Sequence, residues 1–241
     1  MPDRKLLLVL IMVFSLNAQC WAIPGTPNIE CMAGGTTYNT RPWILIRVSG
    51  VHSINHIQVV IDNTSDCSSP VYSYASTSYP ANFYPLPATS GQLIRHRLNN
   101  GTALAAGTWY VRVYARCNSA GPRESSWSAI RSFTIVTSLP AGATETITDG
   151  TTVIRAAHFT DLRTCIANVR SLRNNAVYSY TYTPAANSMV HAVDMTQMRS
   201  ALSAPVYVAT GSAPSFTDSP STSVLIRGIH IRELRTMLYY P

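Results

Sequence analysis

The chain is 241 residues long with a formal net charge of +7, yet only 12% of its residues are charged, while serine, threonine, alanine and 13 tyrosines abound. That balance describes an extracellular β-rich module better than a cytosolic enzyme, and no segment after residue 22 has the roughly 20 apolar residues that a membrane helix needs. The only lysine is Lys5, so beyond residue 22 the charge rests on 16 arginines against 10 acids, a net +6 of the kind that suits an acidic glycan, a teichoic-type polymer or nucleic acid. No run of those arginines clusters, which spreads them over solvent-facing strand and helix positions and argues against nucleic acid.

Residues 1–22 follow the order of a secretory signal peptide. Arg4 and Lys5 precede an apolar run from Leu6 to Leu16, a polar patch (Asn17, Gln19) and a small-residue site at Cys20 and Ala22. Cleavage is expected after Ala22, with Ala18 as the second choice. Lipidation of Cys20 is a rival, disfavoured by Gln19, which stands where a lipoprotein signal takes a small residue. The expected location is secreted or at the cell surface, with no membrane span once the signal is removed.

Within a first domain expected at residues 23–136, apolar residues alternate with period two from Pro27 to Val136, between turn-forming segments. Strands are predicted at residues 43–48, 56–61, 92–98, 108–115 and 130–136. The intervening "SG", "NTSDCSSP", "NNGT", "AAG" and "CNSAGP" supply the turn chemistry of Gly, Pro, Asn and Asp. In "TWYVRVYA", Trp109, Val111 and Val113 share the core face, which leaves Tyr110, Arg112 and Tyr114 exposed. Tyr110, Arg112, Tyr114 and Arg116 form the candidate ligand face, since tyrosine and arginine stack on sugars or bond acidic groups. Tyr72, Tyr74, Tyr79 and Tyr84 lie nearby in sequence. The bland alternative is an ordinary outward sheet face.

The run "GTWYVRVYARCNSAGPRESSWSAIRSFTIV" resembles the closing strands of a bacterial fibronectin type III domain, and "IQVVIDNTSDCSSPVYS" resembles an earlier strand and turn, with Cys67 in place of an aromatic. Leu45 stands where such domains commonly have a tryptophan, and Trp43 lies two residues earlier. The resemblance implies a β-sandwich over residues 23–136, used as a spacer or binding module, and supplies no catalytic residue. Its bacterial character makes the acceptor patterns at Asn63-Thr-Ser and Asn100-Gly-Thr coincidental.

Four cysteines follow the signal: Cys31, Cys67, Cys117 and Cys165. Their spacings of 36, 50 and 48 residues contain no C-x-x-C pair, which argues against a cysteine zinc site. Four thiols allow three pairings. At most one bridge is expected in the first domain, involving Cys117, with Cys165 buried and unpaired.

After a linker at residues 137–150 the period becomes helical, with Phe159, Leu162, Ile166, Val169 and Leu172 on one face. "VIRAAHFTDLRT" is repeated as "MVHAVDMTQMRS" and "LIRGIHIRELRT", so that Val153, Met189 and Leu225 are spaced by 36 residues. A fixed period predicts three stacked units over residues 151–241, each a short strand ("TETIT", "YSYTYT", "PSFTD") or loop followed by a helix. Their predicted interface comprises Phe159, Leu162, Met195, Met198, Ile231 and Leu234, together with the invariant Arg163, Arg199 and Arg235. Each arginine is expected to lock one unit onto the next through backbone carbonyls or a carboxylate such as Asp161 or Glu233. His158 and His230 correspond to Asp194, an exchange that fits a polar residue at a helix start better than a metal ligand between units. The phrase resembles "V-I-K/R-A-x-H-x-x-E-L-R" repeats of secreted bacterial surface proteins. The last helix is expected to leave an apolar edge exposed, favouring self-association or docking.

No Gly-x-Ser-x-Gly, His-Glu-x-x-His or phosphate-cradling glycine-rich pattern occurs, and the acids are scattered singly. The expectation is therefore a mainly β plus α, exported, non-enzymatic adhesion or scaffold protein that needs no metal or cofactor and docks on an extracellular protein or on itself. A carbohydrate-binding accessory module is the alternative, and an exported hydrolase the minor one.

Overall fold

Alternating residues become strands here because one side of each pleated ladder can be buried. The computed structural model describes residues 23–240 apart from 31, 33, 51–53, 79, 99–102, 118–122, 150, 186–189 and 219–225. The expected signal segment with Cys20, and Cys31, Tyr79, Asn100-Gly-Thr, Met189 and Leu225, lie outside the described residues. The chain is mixed β and α, with two sheets followed by four helices among the described residues. None of these helices is long and apolar enough to cross a membrane.

The first sheet has the order β1 (Gly25–Glu30), β3 (Trp43–Ser49), β7 (Leu93–Arg97), β6 (Phe83–Tyr84). The second runs β2 (Gly35–Thr37), β10 (Arg131–Ile135), β8 (Gly107–Cys117), β4 (His56–Asp62), β5 (Tyr72–Ala75), and β9 (Arg123–Glu124) also pairs with β8. Every pair is antiparallel except β2 with β10. The five predicted strands correspond to β3, β4, β7, β8 and β10. The two sheets share one hydrophobic core, to which Ile44, Ile46 and Ile94 contribute from the first and Val59, Val111, Val113 and Phe133 from the second.

Between β9 and β10 the chain keeps to the side of β8 through serines. Ser125 and Ser128 accept the Ala115 and Val113 N–H groups on their hydroxyls at 3.0 and 3.1 Å, and their own N–H groups bond back to the same residues' carbonyls. This side-chain ladder carries Trp127 over the outer face of β8. Cys117 is disulfide-bonded, while Cys67 and Cys165 are free and buried.

The helices are α1 (Ala141–Thr144), α2 (Ala156–Leu172), α3 (Ala192–Thr210) and α4 (Gly228–Met237). Each of the last three begins with the same device: the side chain of the third helical residue takes the N–H of the residue before the helix. Arg155 donates to His158 Nδ1 at 2.8 Å, His191 to Asp194 Oδ2 at 2.9 Å and Arg227 to His230 Nδ1 at 3.2 Å. An orphan donor at each helix start is thereby satisfied, which is why His and Asp exchange there. Helix α3 ends at Gly211, whose φ of 81° favours glycine.

Phe159, Leu162, Ile166 and Val169 pack with Met195, Met198, Leu202, Ile231, Leu234 and Leu238 in a second core. Leu139, Ala143 and Ile147, from the expected linker, belong to that same core. The segments "TETIT", "YSYTYT" and "PSFTD" form no strand, so of the two expected forms, strand or loop before the helix, the loop is the one present. Side chains take their backbone groups instead: the Thr181 N–H donates to Gln197 and the Thr217 N–H to Glu233, at 3.0 and 2.8 Å.

The two cores interlock at the end of α2. Leu172 belongs to the sheet core, not the helical one, and passes so close to Gly35 that a Cβ there would lie 2.2 Å from the Leu172 Cα. The next residue, Arg173, is 1% exposed and donates to the Trp43 carbonyl at 2.9 Å. Asn168 donates to the Tyr38 hydroxyl at 3.0 Å, while Tyr38 itself packs in the helical core.

Candidate functional site

Strand β8 holds the four residues expected to form a ligand face. Its register places Tyr110 opposite Asp62, Arg112 opposite Val60, Tyr114 opposite Gln58 and Arg116 opposite His56, so all four point to the face away from the sheet core. All four are half-buried, and for three of them the reason is internal bonding. Arg112 donates to the Cys67 carbonyl at 2.9 Å and lies 4.6 Å from the centre of the Trp127 ring. Tyr114 donates to Gln58 Oε1 at 2.8 Å and meets Trp127 edge-on at 4.6 Å. Arg116 lies 3.7 Å from Glu124. Trp127, 39% exposed, is thus clamped between an arginine and a tyrosine.

The expected aromatic neighbours are elsewhere. Tyr72 and Tyr74 pair with Ile61 and Val59 and turn inward, where Tyr72 packs against Trp109. Tyr84 is exposed on the first sheet. Only residues two apart in register share a face, and proximity along the chain could not reveal it.

Behind Arg116, His56 is buried with neither ring nitrogen hydrogen-bonded among the described residues. Burial and then the Arg116 charge hold its pKa below the ordinary imidazole value. His56 therefore stays neutral near pH 7.

In the helical half two of the three repeated arginines make parallel contacts, to a carboxylate, a carbonyl and a ring. Arg163 donates to Asp194 Oδ1 at 2.8 Å and to the Tyr182 carbonyl at 2.5 Å, with its guanidinium 4.1 Å from the Tyr180 ring centre. Arg199 donates to Glu233 Oε2 at 2.8 Å and to the Asp218 carbonyl, and lies 4.4 Å from the Phe216 ring. Arg235 turns back toward α1, donating to the Glu145 and Gly142 carbonyls at 2.6 and 3.0 Å. The set therefore closes on itself, from α2 to α3, from α3 to α4, and from α4 to the turn of α1. This closure, with Ile231, Leu234 and Leu238 fully buried, corrects the expected open apolar edge.

His158 and His230 complete the struts. His158 Nε2 lies 2.9 Å from Glu145, and His230 Nε2 lies 2.8 Å from Asp218. Glu145 is held below the usual carboxylate range, first by its bond to His158. In Asp218, burial is outweighed by Arg227 and His230, with the same downward result. Asp161 takes the Gly142 N–H at 2.8 Å and meets none of the three arginines; the other partner expected for them, Glu233, holds Arg199.

A groove of about 650 Å³ lies where the first sheet meets the helices, lined by Trp43, Arg97, Thr236, Arg235, Tyr239 and Tyr240 among others. Trp43 and Arg97 are direct cross-strand partners on the same face as Leu45 and Arg95. The end of α3 covers that face at Arg95, which donates to the Val208 carbonyl at 3.4 Å, and the Trp43–Arg97 pair stays open beside it. Sequence reasoning passed over these residues because 54 positions separate the pair, and closure of the helices brings the tyrosines alongside. The hint available in the sequence was the adjacent Tyr239 and Tyr240.

Among the described residues no group of three or more His, Cys, Asp or Glu is arranged to hold a metal ion. Comparison with known protein families matches no family model, and comparison with curated proteins finds no significant match.

Proposed function

We propose that this is an exported, non-enzymatic adhesion or scaffold protein. A signal segment (1–22) precedes a fibronectin type III-like β-sandwich (23–136), and three helical units of 36 residues follow a short connection. The observation that carries the reading is how the acids are used. All ten carboxylates beyond residue 22 hold a structural partner: Glu30, Glu124, Asp149, Asp194 and Glu233 pair with arginines, Glu145 and Asp218 with histidines, and Asp62, Asp66 and Asp161 with backbone N–H groups. Acid–base catalysis needs a carboxylate or imidazole presented to a substrate, whereas most of these carboxylates brace the fold, the exposed Glu124 and Asp149 pairs excepted. Function then rests on surface complementarity, with an extracellular or cell-surface protein as the docking partner. Self-association through the helical half is the competing form of docking.

A second reading has one observation of its own. Trp127 joins Tyr110 and Tyr114 on the outer face of β8, which gives the Tyr/Arg face an aromatic platform suited to a sugar.

The test uses purified protein beginning at residue 23 and intact cells of the producing organism. Retention that disappears after the cells are treated with protease supports docking on a surface protein. Retention that survives protease and is lost in the Tyr110→Ala, Arg112→Ala double variant supports the carbohydrate reading. No retention on untreated cells contradicts both.

A further inference from the structure

The groove between the first sheet and the helices has a chemistry that neither docking nor the β8 face uses. Its walls combine three aromatic side chains with two guanidinium groups, and among the described residues no carboxylate side chain lines it. Trp43 presents a ring with Arg97 stacked 5.4 Å from its centre. Across the groove Tyr239 and Tyr240 are 44% and 45% exposed. These are rings that a packed core would have covered.

The two arginines differ. Arg235 is anchored, with both terminal nitrogens on carbonyls, and its buried Nε has no hydrogen-bond partner among the described residues. Arg97 is exposed, and among the described residues its guanidinium meets the Trp43 ring. Its planar fork is therefore free to take a carboxylate through two parallel N–H bonds. The indole beneath keeps that fork in place and removes part of the entropy cost of binding.

We propose that this groove binds a carboxylate-bearing sugar, with a pyranose face laid on the aromatic rings and its acid group held by Arg97. The C–H bonds on a pyranose face carry partial positive charge and settle on the electron-rich faces of tyrosine and tryptophan. Its volume lies within the roughly 300–1,000 Å³ range of small-ligand sites, which suits a short oligosaccharide segment. A polynucleotide is the poorer fit, since its affinity comes from many phosphate contacts in a row, about 6–10 in a typical complex, and the groove offers two cations, one already committed. The site stands independently of protein docking.

Calorimetric titration of the protein from residue 23 with a galacturonic acid trimer, beside the neutral galactose trimer, tests the assignment at fixed ionic strength. The acidic trimer is expected to bind at least about tenfold more tightly than the neutral one, the discrimination a charge-assisted fork provides. Arg97→Gln should remove most of that preference. Trp43→Ala should weaken both sugars, with its fold checked by the melting temperature. Arg97 is exposed and the Arg173 bond goes to the Trp43 backbone carbonyl, so both variants should fold. The assignment is overturned if neither trimer binds at millimolar concentration, if the two bind equally, or if Arg97→Gln leaves the preference intact. A single-stranded oligonucleotide that outcompetes the acidic trimer would also overturn it, as would binding abolished by Tyr110→Ala with Arg112→Ala but not by Trp43→Ala. Loss of this site with cell retention preserved would leave the docking reading standing.

Discussion

The sheet half and the helical half of this chain hold themselves together by different means. In the sheets, alternation sorts the side chains: Val111, Val113 and Phe133 go inward to a core free of ion pairs, and charged residues stay at the margins. In the helices, apolar faces meet in a second core, and arginine–carboxylate bonds tie α2 to α3 and α3 to α4. The first arrangement depends on apolar area and shape and tolerates changes on its outer face. The second depends on paired charges, several of them out of water, and is exposed to loss of either partner. The helical half should therefore respond strongly to single charge deletions, and the sheet half to cavities.

The sharpest way to break this contrast is Arg199→Ala. The arginine is 6% exposed, and its removal leaves Glu233 without its cation, held by Thr217 alone, and frees the Asp218 carbonyl. A loss of about 3 kcal/mol is expected, seen as a fall of about 6–12 °C in melting temperature. Unchanged melting would remove the lock. Next comes Leu172→Ala, which empties a fully buried site in the sheet core from the end of a helix. A cost of about 2–4 kcal/mol is expected. The sheet and helix signals in circular dichroism should fall together, and separate transitions would show that the cores do not interlock energetically.

A smaller effect sharpens the comparison from the sheet side. His96 is fully buried, its Nδ1 is 3.2 Å from the Asn82 carbonyl, and burial pushes its pKa down to about 3. The unfolded chain takes up that proton near pH 6.5, so the unfolded state binds more protons than the folded one between those values. Stability is then full above about pH 6.5 and declines as pH falls toward 3, with a slope approaching about 1.4 kcal/mol per pH unit. Denaturant titrations from pH 7 to pH 5 should show this decline, and His96→Phe should flatten it. At the small end, Arg232→Ala should lower the melting temperature by no more than about 2–4 °C, because the pair with Asp149 is exposed and screened by solvent and the bond to the Ile147 carbonyl is what is lost.

The parts legible in the sequence were those governed by local period. The alternation in "TWYVRVYA" located β8 and its two faces, and the spacing of Phe159, Leu162 and Ile166 located α2. Strands β1, β2, β5, β6 and β9 escaped because "GTPNIE", "GTT", "YSYA", "FY" and "RE" are short or lack alternation, and pairing alone makes them strands. The arginine locks were foreseeable as a class, since Arg163, Arg199 and Arg235 repeat, and Glu233 was among the named partners. Asp194 and the carbonyls of α1 were not, because they depend on how three helices close in space. The Trp43–Arg97 groove was hidden for the same reason.

The measurement that bears most directly on the closed helical half is the mass in solution of the protein from residue 23, by light scattering over a concentration series. With the apolar side of α4 buried and Arg235 turned back onto α1, the mass of one chain is expected at every concentration. A mass that rises with concentration, and returns to one chain when residues 221–241 are removed, would contradict closure and restore an open, self-associating edge.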